Sequence, residues 1–502
     1  MNRWLISLVL AAGILYAPCL KAGFVYDDEW SIVRNASLRD FQPLRYFTDP
    51  STAADPASGL QGDVYRPLLT TFFAAQVHFW GLRPGPFHAV NLMLHLINGL
   101  LVAILLQRLL KNPWGVLIGA GIFLLHPVQV QTAAWISQQS NTLSAFFILC
   151  ACLCFVPAAR STTRRTILGS ACFAAAVFTK EHALVFPLLL GVLYLWDEKH
   201  VAIKTAWPLG VIAAAYALAR TLLLPHWAQI DGGNRNLYDD FSLGVLSFPV
   251  YIAKLLLPLA LRPSYRYPEG DPWIVLGSFL IVCAFLWGMA RGRKRFPSLS
   301  VSMAWIFIGL LPALQIIPIR AFVAERFLYY SVMGLALGVG AGIFQVKRWR
   351  WPLGVWLVFL VCQSARAVPH WKNEYALWRH AVAVEPSNPF AQACLANVES
   401  RPDKAIFHYK QALLHHPAED VAFTAKNNLA WLYLRKQEIA PALHWGQAAL
   451  QMRPRNAATL YNLCLIHLAR HDRRKARVFY RQIAQQVPPQ SPLLADLSRR
   501  FK

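Results

Sequence analysis

Three consecutive carboxylates, Asp27, Asp28 and Glu29, follow the first apolar run of the chain, which covers residues 4–20. If that run crosses a membrane, these side chains lie at the boundary between water and lipid, where a carboxylate is costly and is usually kept for a function. One interpretation is a solvated acidic cap beside a helix end. The other is a cluster of carboxylates that is kept at this boundary for a function.

Lys180 and Glu181 form a polar turn between two later apolar runs, and His126 ends another run just before Pro127. If Lys180 and Glu181 are buried, they should pair, and such a pair is as consistent with a structural role as with a catalytic one. His126 either contacts an anionic group or caps the helix that Pro127 ends.

Three arginines, Arg266, Arg320 and Arg326, lie in connections that we predict to face outward, where positive charge is uncommon. The planar guanidinium group of arginine matches the geometry of phosphate oxygens. These residues therefore favour a lipid phosphate or pyrophosphate as a ligand.

His88, Asn91 and His95 recur at spacings of three and four residues, so they share one face of a predicted membrane helix. Polar side chains buried in a membrane need hydrogen-bonding partners. Two interpretations are open: a hydrogen-bonded seam between helices, or a polar cavity that opens outward.

The elements that must position these residues are apolar helices. The chain has 502 residues, of which 56% are hydrophobic and 15% charged, a composition typical of a polytopic membrane protein. Beyond 4–20, apolar runs predict ten further spans, which makes about eleven transmembrane helices. These runs are 86–109, 113–126, 139–157, 165–180, 182–197, 205–225, 272–290, 298–318, 326–346 and 351–368.

Basic residues mark each connection from an even-numbered to an odd-numbered span, so we predict that those loops are cytoplasmic. They are Arg108, Lys111, Arg160, Arg164, Arg165, Lys199, Lys204, Arg291, Arg293, Lys294, Arg295, Lys347, Arg348 and Arg350. The other loops and the tail then face outward. Segment 65–80 should lie along the membrane interface, and 244–260 should be interfacial or re-entrant. The net charge of +24 fits this topology, and no basic face indicates nucleic-acid binding.

The first apolar run also resembles a signal peptide, because Arg3 precedes it and Ala17-Pro18-Cys19 ends it. We predict an uncleaved first helix, since many further spans follow. The nine cysteines have neither a CxxC pair nor zinc-ligand spacing, so neither a disulfide framework nor a metal site is predicted. Dependence on a divalent ion stays open.

A period of 34 residues appears in the last quarter of the chain, with leucine followed by a small residue at each repeat. The positions are Leu395, Leu429 and Leu463, followed by Ala396, Ala430 and Cys464. This is the period of tetratricopeptide repeats, and it predicts three units preceded by a half unit at 371–386. Such stacks bind peptides or protein partners through a concave face.

In these features the chain resembles the transmembrane and tetratricopeptide-repeat O-mannosyltransferases, which are GT-C glycosyltransferases. The resemblance covers nearly the whole chain, including the repeat tail. The matching stretches are FVYDDEWSIVRN (24–35), YRPLLTTFF (65–73), FHAVNLMLHLINGLLV (87–102), LLHPVQVQTAAWIS (124–137), FTKEHALVFPLLL (178–190), KLLLPLALRPSYRYP (254–268) and ERFLYYSVMGLAL (325–337).

The resemblance implies transfer of a sugar from a polyprenyl-phosphate carrier to a hydroxyl acceptor on the outer or luminal face, without a nucleotide. It also implies that Asp27 is the general base and that Asp28 assists it. Candidate donor- or acceptor-binding residues are Glu29, Arg66, His88, His126, Lys180, Glu181, Arg266 and Arg326. Relatives usually carry Glu, and later Arg, at the places of Gln131 and Gln139, so two charges are neutral amides here.

We therefore expect an all-α chain: a polytopic GT-C-type membrane domain at 1–368, and a tetratricopeptide α-solenoid at 369–502 that presents a protein or peptide acceptor. The expected location is a bacterial inner membrane, with the repeats on the periplasmic side. The donor would be a polyprenyl-phosphate sugar in contact with membrane lipid. One alternative is transfer to a glycolipid or polysaccharide. Another is a non-enzymatic scaffold for envelope assembly, which has no need of Asp27.

Overall fold

The computed structural model describes residues 2–56, 64–156, 162–196, 201–224, 237–268, 270–316, 319, 321–342, 350–488 and 490–501. Over these residues all regular structure is helical, so the predicted all-α fold class is confirmed. The chain forms two compact units, Met1–Leu377 and Trp378–Lys502. We expected the domain boundary at 368/369, and the two compact units meet at 377/378. The functional division at 368/369 stays a prediction.

Some predicted features lie outside the described residues. They are Arg160, Lys199, Arg320, Lys347, Arg348 and the last residues of the runs 139–157, 182–197, 205–225, 298–318 and 326–346.

Each predicted apolar run of the first unit contains a helix, and several begin at proline, which suits the first position because it has no N–H to leave unpaired. The helices are α1 Asn2–Tyr16, α2 Pro43–Thr48, α3 Pro67–Trp80, α4 Pro84–Leu109, α5 Pro113–Leu125, α6 Val130–Ala134, α7 Gln139–Phe155, α8 Thr163–Thr179, α9 Phe186–Trp196, α10 Trp207–Leu223, α11 Leu237–Leu256, α12 Pro272–Gly292, α13 Pro297–Leu310, α14 Ser331–Ala341 and α15 Arg350–Ala367. Helix α16, Glu374–Val384, begins at the end of this unit.

Within the described residues, five helical segments are long and apolar enough to cross a membrane, which identifies the chain as an integral membrane protein. They are Arg3–Lys21, Pro84–Leu109, Ile136–Phe155, Pro272–Gly292 and Trp351–Trp371. The pair Pro113–Leu125 and Pro127–Ala134 forms a sixth if its 45° bend lies within one span. The remaining apolar helices are shorter, so the count of eleven spans stays a prediction.

Glycine allows two helices of the first unit to touch at their backbones. A Cβ atom on Gly115 of α5 would lie 2.2 Å from the carbonyl oxygen of Gly340 of α14, and one on Gly119 would lie 2.8 Å from that of Ala336. Small residues at such contacts are a common way for membrane helices to associate. The glycine-rich sequence of α14 is therefore explained by its buried position.

The polar residues of α4 form a hydrogen-bonded seam. Asn91 Nδ2 donates to the carbonyls of Thr132, Ala133 and Trp135 at 2.8–3.1 Å, and Asn91 Oδ1 accepts from the Thr142 hydroxyl. These bonds satisfy carbonyls at the end of the short helix α6. We name Asn91, His95 and Tyr329 the polar seam, and all three are fully buried. The cavity interpretation is therefore not supported.

The loop predicted to be the first outer one folds around a small apolar core. Segment 65–80 contains α3, which packs through Leu69, Phe73 and Val77 against residues that include Ile32 and Tyr46. The predicted segment 244–260 is largely helical, but its helix α11 begins earlier, at Leu237. The interfacial placement of both segments stays a prediction.

The second unit contains the predicted repeats. Its helices are α17 Pro389–Val398, α18 Pro402–Leu414, α19 Glu419–Arg435, α20 Ile439–Met452, α21 Ala457–Ala469, α22 Arg473–Ala484 and α23 Pro492–Phe501. The leucines and small residues of the 34-residue period are buried, as are Ala405, Ala442 and Ala476 of the second helices. This confirms a tetratricopeptide-type stack of three helix pairs.

Candidate active site

Most of the predicted site residues lie in connections at one end of the membrane helices. Asp27 follows α1, Arg66 precedes α3, Lys180 follows α8 and Arg326 precedes α14. At the other end, Arg108 donates to the carbonyls of Leu153 and Val156 near the end of α7. The fold therefore places Arg108 at the opposite end of the membrane helices from the candidate site. The side of the membrane on which each end lies stays a prediction.

Asp28 is a fully buried member of the acidic stretch, and its oxygens are already bonded. Oδ2 accepts from the Val25 N–H at 3.0 Å, and Oδ1 accepts from the N–H and the hydroxyl of Ser137. Burial raises the pKa of Asp28 to about 7, although these three hydrogen bonds oppose the shift. Asp28 thus fastens the acidic stretch to the start of the Ile136–Phe155 segment.

Tyr26 adopts a left-handed backbone conformation, with φ of +56°, immediately before Asp27. This conformation is uncommon for a bulky residue and needs support from its surroundings. The Tyr26 N–H donates to Glu374 Oε1 at 3.0 Å, and its ring stacks on Trp135 with centroids 5.2 Å apart. His88, predicted to bind substrate, instead hydrogen-bonds the Gly23 carbonyl through Nε2 and so holds the same loop.

Asp27 and Glu29 differ from Asp28 in exposure, since both are half-buried. The charge of Asp27 acts on the guanidinium group of Arg66, so the predicted base lies near that cation. Glu29 pairs with Arg34 at 2.7 Å, and both side chains are more than one-third exposed. An exposed pair of this kind contributes little to stability. Of the three carboxylates, Asp27 is therefore the one that the structure relates to Arg66.

Arg66 and Glu181 form a two-pronged ion pair. Arg66 Nε lies 2.9 Å from Glu181 Oε2, and Arg66 Nη2 lies 2.5 Å from Oε1. Arg220, in the last turn of α10, approaches the same carboxylate at 4.0 Å. The predicted pair between Lys180 and Glu181 therefore does not form. Glu181 pairs instead with two arginines from other parts of the chain.

Lys180 is a buried cation with 3% of its surface exposed. Within the described part of the chain it forms no ion pair closer than 4 Å. Burial and the charge of Arg66 hold the pKa of Lys180 well below its usual range. A buried lysine without a carboxylate partner is costly, and a bound anion would remove that cost.

Arg326 completes the group of cations. Its guanidinium carbon lies 5.5 Å from the ring centre of Trp135 and 5.0 Å from that of Phe327. Gln131 Oε1 accepts from the Arg326 N–H at 2.7 Å, and Asn141 Nδ2 donates to its carbonyl at 3.1 Å. The backbone from which this cation extends is therefore fixed by two buried amides.

The neighbouring residue Glu325 is also buried, and it ties down the loop that carries Arg266. Its Oε1 accepts from the Arg262 N–H at 2.8 Å and from the Tyr265 hydroxyl. Arg266 is half-buried in this loop. Glu325 thus holds the loop of Arg266 next to the backbone of Arg326. That Arg266 binds a ligand stays a prediction.

We name Arg66, Lys180, Arg220 and Arg326, with Glu181 among them, the cation cluster. Counted in their usual ionised forms, the four cations outnumber by one the carboxylates that interact with them, which are Glu181, Asp27 and, beside Arg326, Glu325. A buried site with such an excess is suited to an anion, and above all to a phosphate.

His126 does not join this cluster, because both of its ring nitrogens bond the backbone. Nδ1 accepts from the Val128 N–H at 3.3 Å, and Nε2 hydrogen-bonds the Leu255 carbonyl at 2.9 Å. Of its two predicted roles, the structure gives it the cap. The physical reason is the break at Pro127, since backbone groups left open inside a membrane protein need partners.

The two neutral amides occupy different surroundings. Gln139 pairs with the Gln76 amide through reciprocal bonds of 2.7 and 3.2 Å, and Gln139 Nε2 also donates to the Phe87 carbonyl. Gln131 lies beside Arg326 in the candidate site. The Gln139 amide therefore has hydrogen-bonding partners outside the candidate site, whereas Gln131 contacts the backbone of Arg326.

Sequence reasoning missed several residues of this site. Arg220 carries a signal that was available, because it is an arginine at the predicted outer end of a span. Tyr26, Trp135 and Glu374 carry none, because their roles depend on contacts between distant segments. Among the described residues, no group of three or more His, Cys, Asp or Glu is placed to hold a metal ion.

The apolar helices carry a cation cluster at one end and are followed by tetratricopeptide pairs. These features define a class: a polytopic membrane protein with a candidate anion site and a repeat tail. No family model matches the chain. It is 30% identical to the mouse protein O-mannosyl-transferase TMTC1 over 266 residues, which are 52% of this chain and 26% of that protein. It is 26% identical to human TMTC4 over 457 residues, which are 75% of this chain and 61% of that protein.

The predicted resemblance to the transmembrane and tetratricopeptide-repeat O-mannosyltransferases is thus confirmed. The chain spans about a quarter of TMTC1 and about three-fifths of TMTC4. Among solved structures, ArnT from Cupriavidus metallidurans bound to undecaprenyl phosphate aligns with 99% of this chain and 85% of its own, at a TM-score of 0.43 and 13% identity.

Proposed function

We propose that this protein transfers a sugar from a polyprenyl-phosphate carrier to a hydroxyl group on the outer or luminal face of the membrane. The acceptor that we favour is a Ser or Thr side chain of a protein. The observation that carries the proposal is the cation cluster, with its buried Lys180, next to Asp27. The names of the similar proteins favour mannose as the sugar.

The cation cluster would bind the phosphate and stabilise it as a leaving group. The phosphodiester that joins lipid and sugar carries one negative charge, and the lipid phosphate that leaves gains a second as the bond to the anomeric carbon breaks. A site with an excess of positive charge would bind the departing group more strongly than the starting one, which is the condition for lowering the barrier. The phosphate would also favour the protonated form of Lys180.

Asp27 would act as the general base. The acceptor hydroxyl oxygen forms a bond to the anomeric carbon, the bond from that carbon to the phosphate oxygen breaks, and the hydroxyl proton passes to the Asp27 carboxylate. Asp28 is a positioning residue, because its oxygens already hold Val25 and Ser137. The helix pairs of the second unit would present the acceptor.

The scaffold alternative offers no reason for the unpaired burial of Lys180, which costs stability unless an anion is bound. Transfer to a glycolipid or polysaccharide would use the same donor site, so only the acceptor distinguishes it. The repeat stack favours a protein acceptor.

The proposal is tested by comparing donors with the purified protein in lipid nanodiscs and a Ser/Thr-rich peptide. We expect sugar transfer from polyprenyl-phosphate mannose and none from a nucleotide-linked mannose. Added polyprenyl phosphate should inhibit by competing with the donor, and it should compete less well in Lys180→Met than in the matched control Glu29→Gln. Transfer from the nucleotide sugar, or competition unchanged in Lys180→Met, would contradict the proposal.

A further inference from the structure

His182 lies beside the cation cluster and is almost fully buried, with 5% of its surface exposed. It belongs to the 3-10 turn Glu181–Val185. Its ring stacks on Phe327, with centroids 5.1 Å apart and planes 10° apart. Because Arg326 and Lys180 also approach the Phe327 ring, the imidazole shares one aromatic side chain with two cations of the cluster.

Neither ring nitrogen of His182 has a hydrogen-bonding partner among the described residues. His95 and His126, equally buried, use both of theirs. Leaving a buried polar atom unsatisfied costs about 1–3 kcal/mol, and such atoms are uncommon in native proteins. His182 therefore carries unused hydrogen-bonding capacity at the edge of an anion site.

The charges around His182 define what could use this capacity. Lys180, Arg66 and Arg326 act on the imidazole as cations and Glu181 as an anion. Burial among three cations disfavours a further positive charge. A neutral imidazole offers one N–H donor and one acceptor nitrogen. A phosphate group only accepts, so it would satisfy the N–H and leave the other nitrogen unpaired.

A sugar hydroxyl donates as well as accepts, and in the proposed donor the sugar is joined directly to the phosphate that the cluster would hold. We propose that His182 binds a hydroxyl group of the donor sugar and so contributes to the choice of sugar. This inference rests on the proposed function. It assigns to His182 the recognition of the sugar, and to the cations that of the phosphate.

The test combines two variants with a series of donors. His182→Phe keeps a ring for stacking on Phe327 but removes both hydrogen-bonding atoms, and His182→Gln keeps one donor and one acceptor. The donors are polyprenyl-phosphate mannose and its analogues that each lack one hydroxyl group. The readout is kcat/KM for each donor, with melting temperatures to verify folding.

We expect the wild type to disfavour one deoxy donor by about tenfold to a hundredfold, the usual effect of losing one such contact. The kcat/KM of His182→Phe should be lower than that of the wild type by a similar factor with the parent donor. With that deoxy donor, kcat/KM should be the same in the variant and the wild type. His182→Gln should restore part of the preference.

An equal loss on all donors would assign His182 a structural role, and an unchanged preference would remove it from recognition. Either result contradicts this inference. If His182→Phe does not fold, His182→Gln decides alone, since a loss confined to the donors that keep the recognised hydroxyl group supports the inference and a uniform loss on all donors contradicts it. Absence of wild-type turnover on every lipid-linked donor would contradict the proposed function instead.

Discussion

The first unit buries two groups of polar side chains, and they differ in how their hydrogen-bonding and charge requirements are met. In the polar seam, Asn91 bonds three carbonyls and a hydroxyl, and His95 bonds through both ring nitrogens. Beside the cation cluster, Lys180 forms no ion pair in the described part of the chain and His182 has no hydrogen bond there. Satisfied groups hold helices together, whereas unsatisfied ones are costly unless a ligand completes them.

The largest effect is expected from the base. Asp27→Asn keeps the volume of the side chain but removes the proton acceptor, so turnover should fall by about 10²- to 10⁴-fold. The melting temperature should change little, because Asp27 is half-buried at the edge of the site. The measurement is turnover of a polyprenyl-phosphate sugar by wild type and variant. Near-normal turnover in the folded variant would exclude Asp27 as the base.

Lys180→Met and Asn91→Ala separate the two buried groups most directly. Lys180→Met should lower kcat/KM by roughly 10²- to 10³-fold, the usual effect of losing one group that stabilises developing charge. It should leave the free energy of unfolding unchanged or higher, because the cost of burying an amine without an ion-pair partner is removed. Asn91→Ala should instead lose about 1–3 kcal/mol of stability.

The comparison of Lys180→Met with Asn91→Ala can also contradict a catalytic role for Lys180. If Lys180→Met destabilises the protein as much as Asn91→Ala does and leaves kcat/KM intact, then Lys180 belongs with the structural group. Thermal unfolding in the absence of donor, followed by kinetics on the folded fraction, distinguishes the two cases.

Asp28 should reveal itself through the pH dependence of stability. Burial raises its pKa from an ordinary value of 3.8 to about 7 in the folded protein, so the folded state holds the proton more tightly. The stability contribution of Asp28 is therefore present below about pH 4 and is lost progressively as the pH rises to about 7. The melting temperature of the wild type, measured relative to Asp28→Asn, should fall over this range. A difference independent of pH would indicate that Asp28 ionises normally.

The smallest effect is expected from the third carboxylate. Glu29→Gln breaks only the exposed pair with Arg34, so stability should change by less than about 0.5 kcal/mol and turnover should stay near normal. A loss of turnover like that of Asp27→Asn would return Glu29 to the site and show that the orientation of the acidic stretch differs during catalysis.

Much of this arrangement could be predicted from local patterns. The apolar runs predict the helices because burial in a membrane requires long apolar segments, and the 34-residue period predicts the repeat pairs. The resemblance identifies the acidic stretch, and the polar turns at the ends of the runs locate Lys180, Glu181 and Arg326.

The division of work among neighbouring residues could not be predicted. Asp28 is adjacent to Asp27, yet its role depends on Ser137, which is 109 residues away. Glu181 is adjacent to Lys180, but its ion pair is with Arg66, which is 115 residues away. Such contacts depend on how the helices pack, and no periodicity or propensity encodes them. For His126 the pattern before Pro127 left both a cap and a ligand role open, and only the contacts with Val128 and Leu255 decide between them. The contact of His88 with the Gly23 carbonyl likewise joins distant segments.

The last residues of the first unit bear on how this protein could be recombined with its relatives. Trp371 stacks on Trp135, the Lys372 carbonyl accepts from the Gly23 N–H, and Glu374 accepts from the Tyr26 N–H. Residues 371–374 therefore hold the loop that carries Asp27 in place. They are not an interchangeable linker. A chimaera that exchanges the repeats should keep residues 371–374 of this chain, whereas a junction at residue 368 would release the loop and lower turnover even with an intact cation cluster.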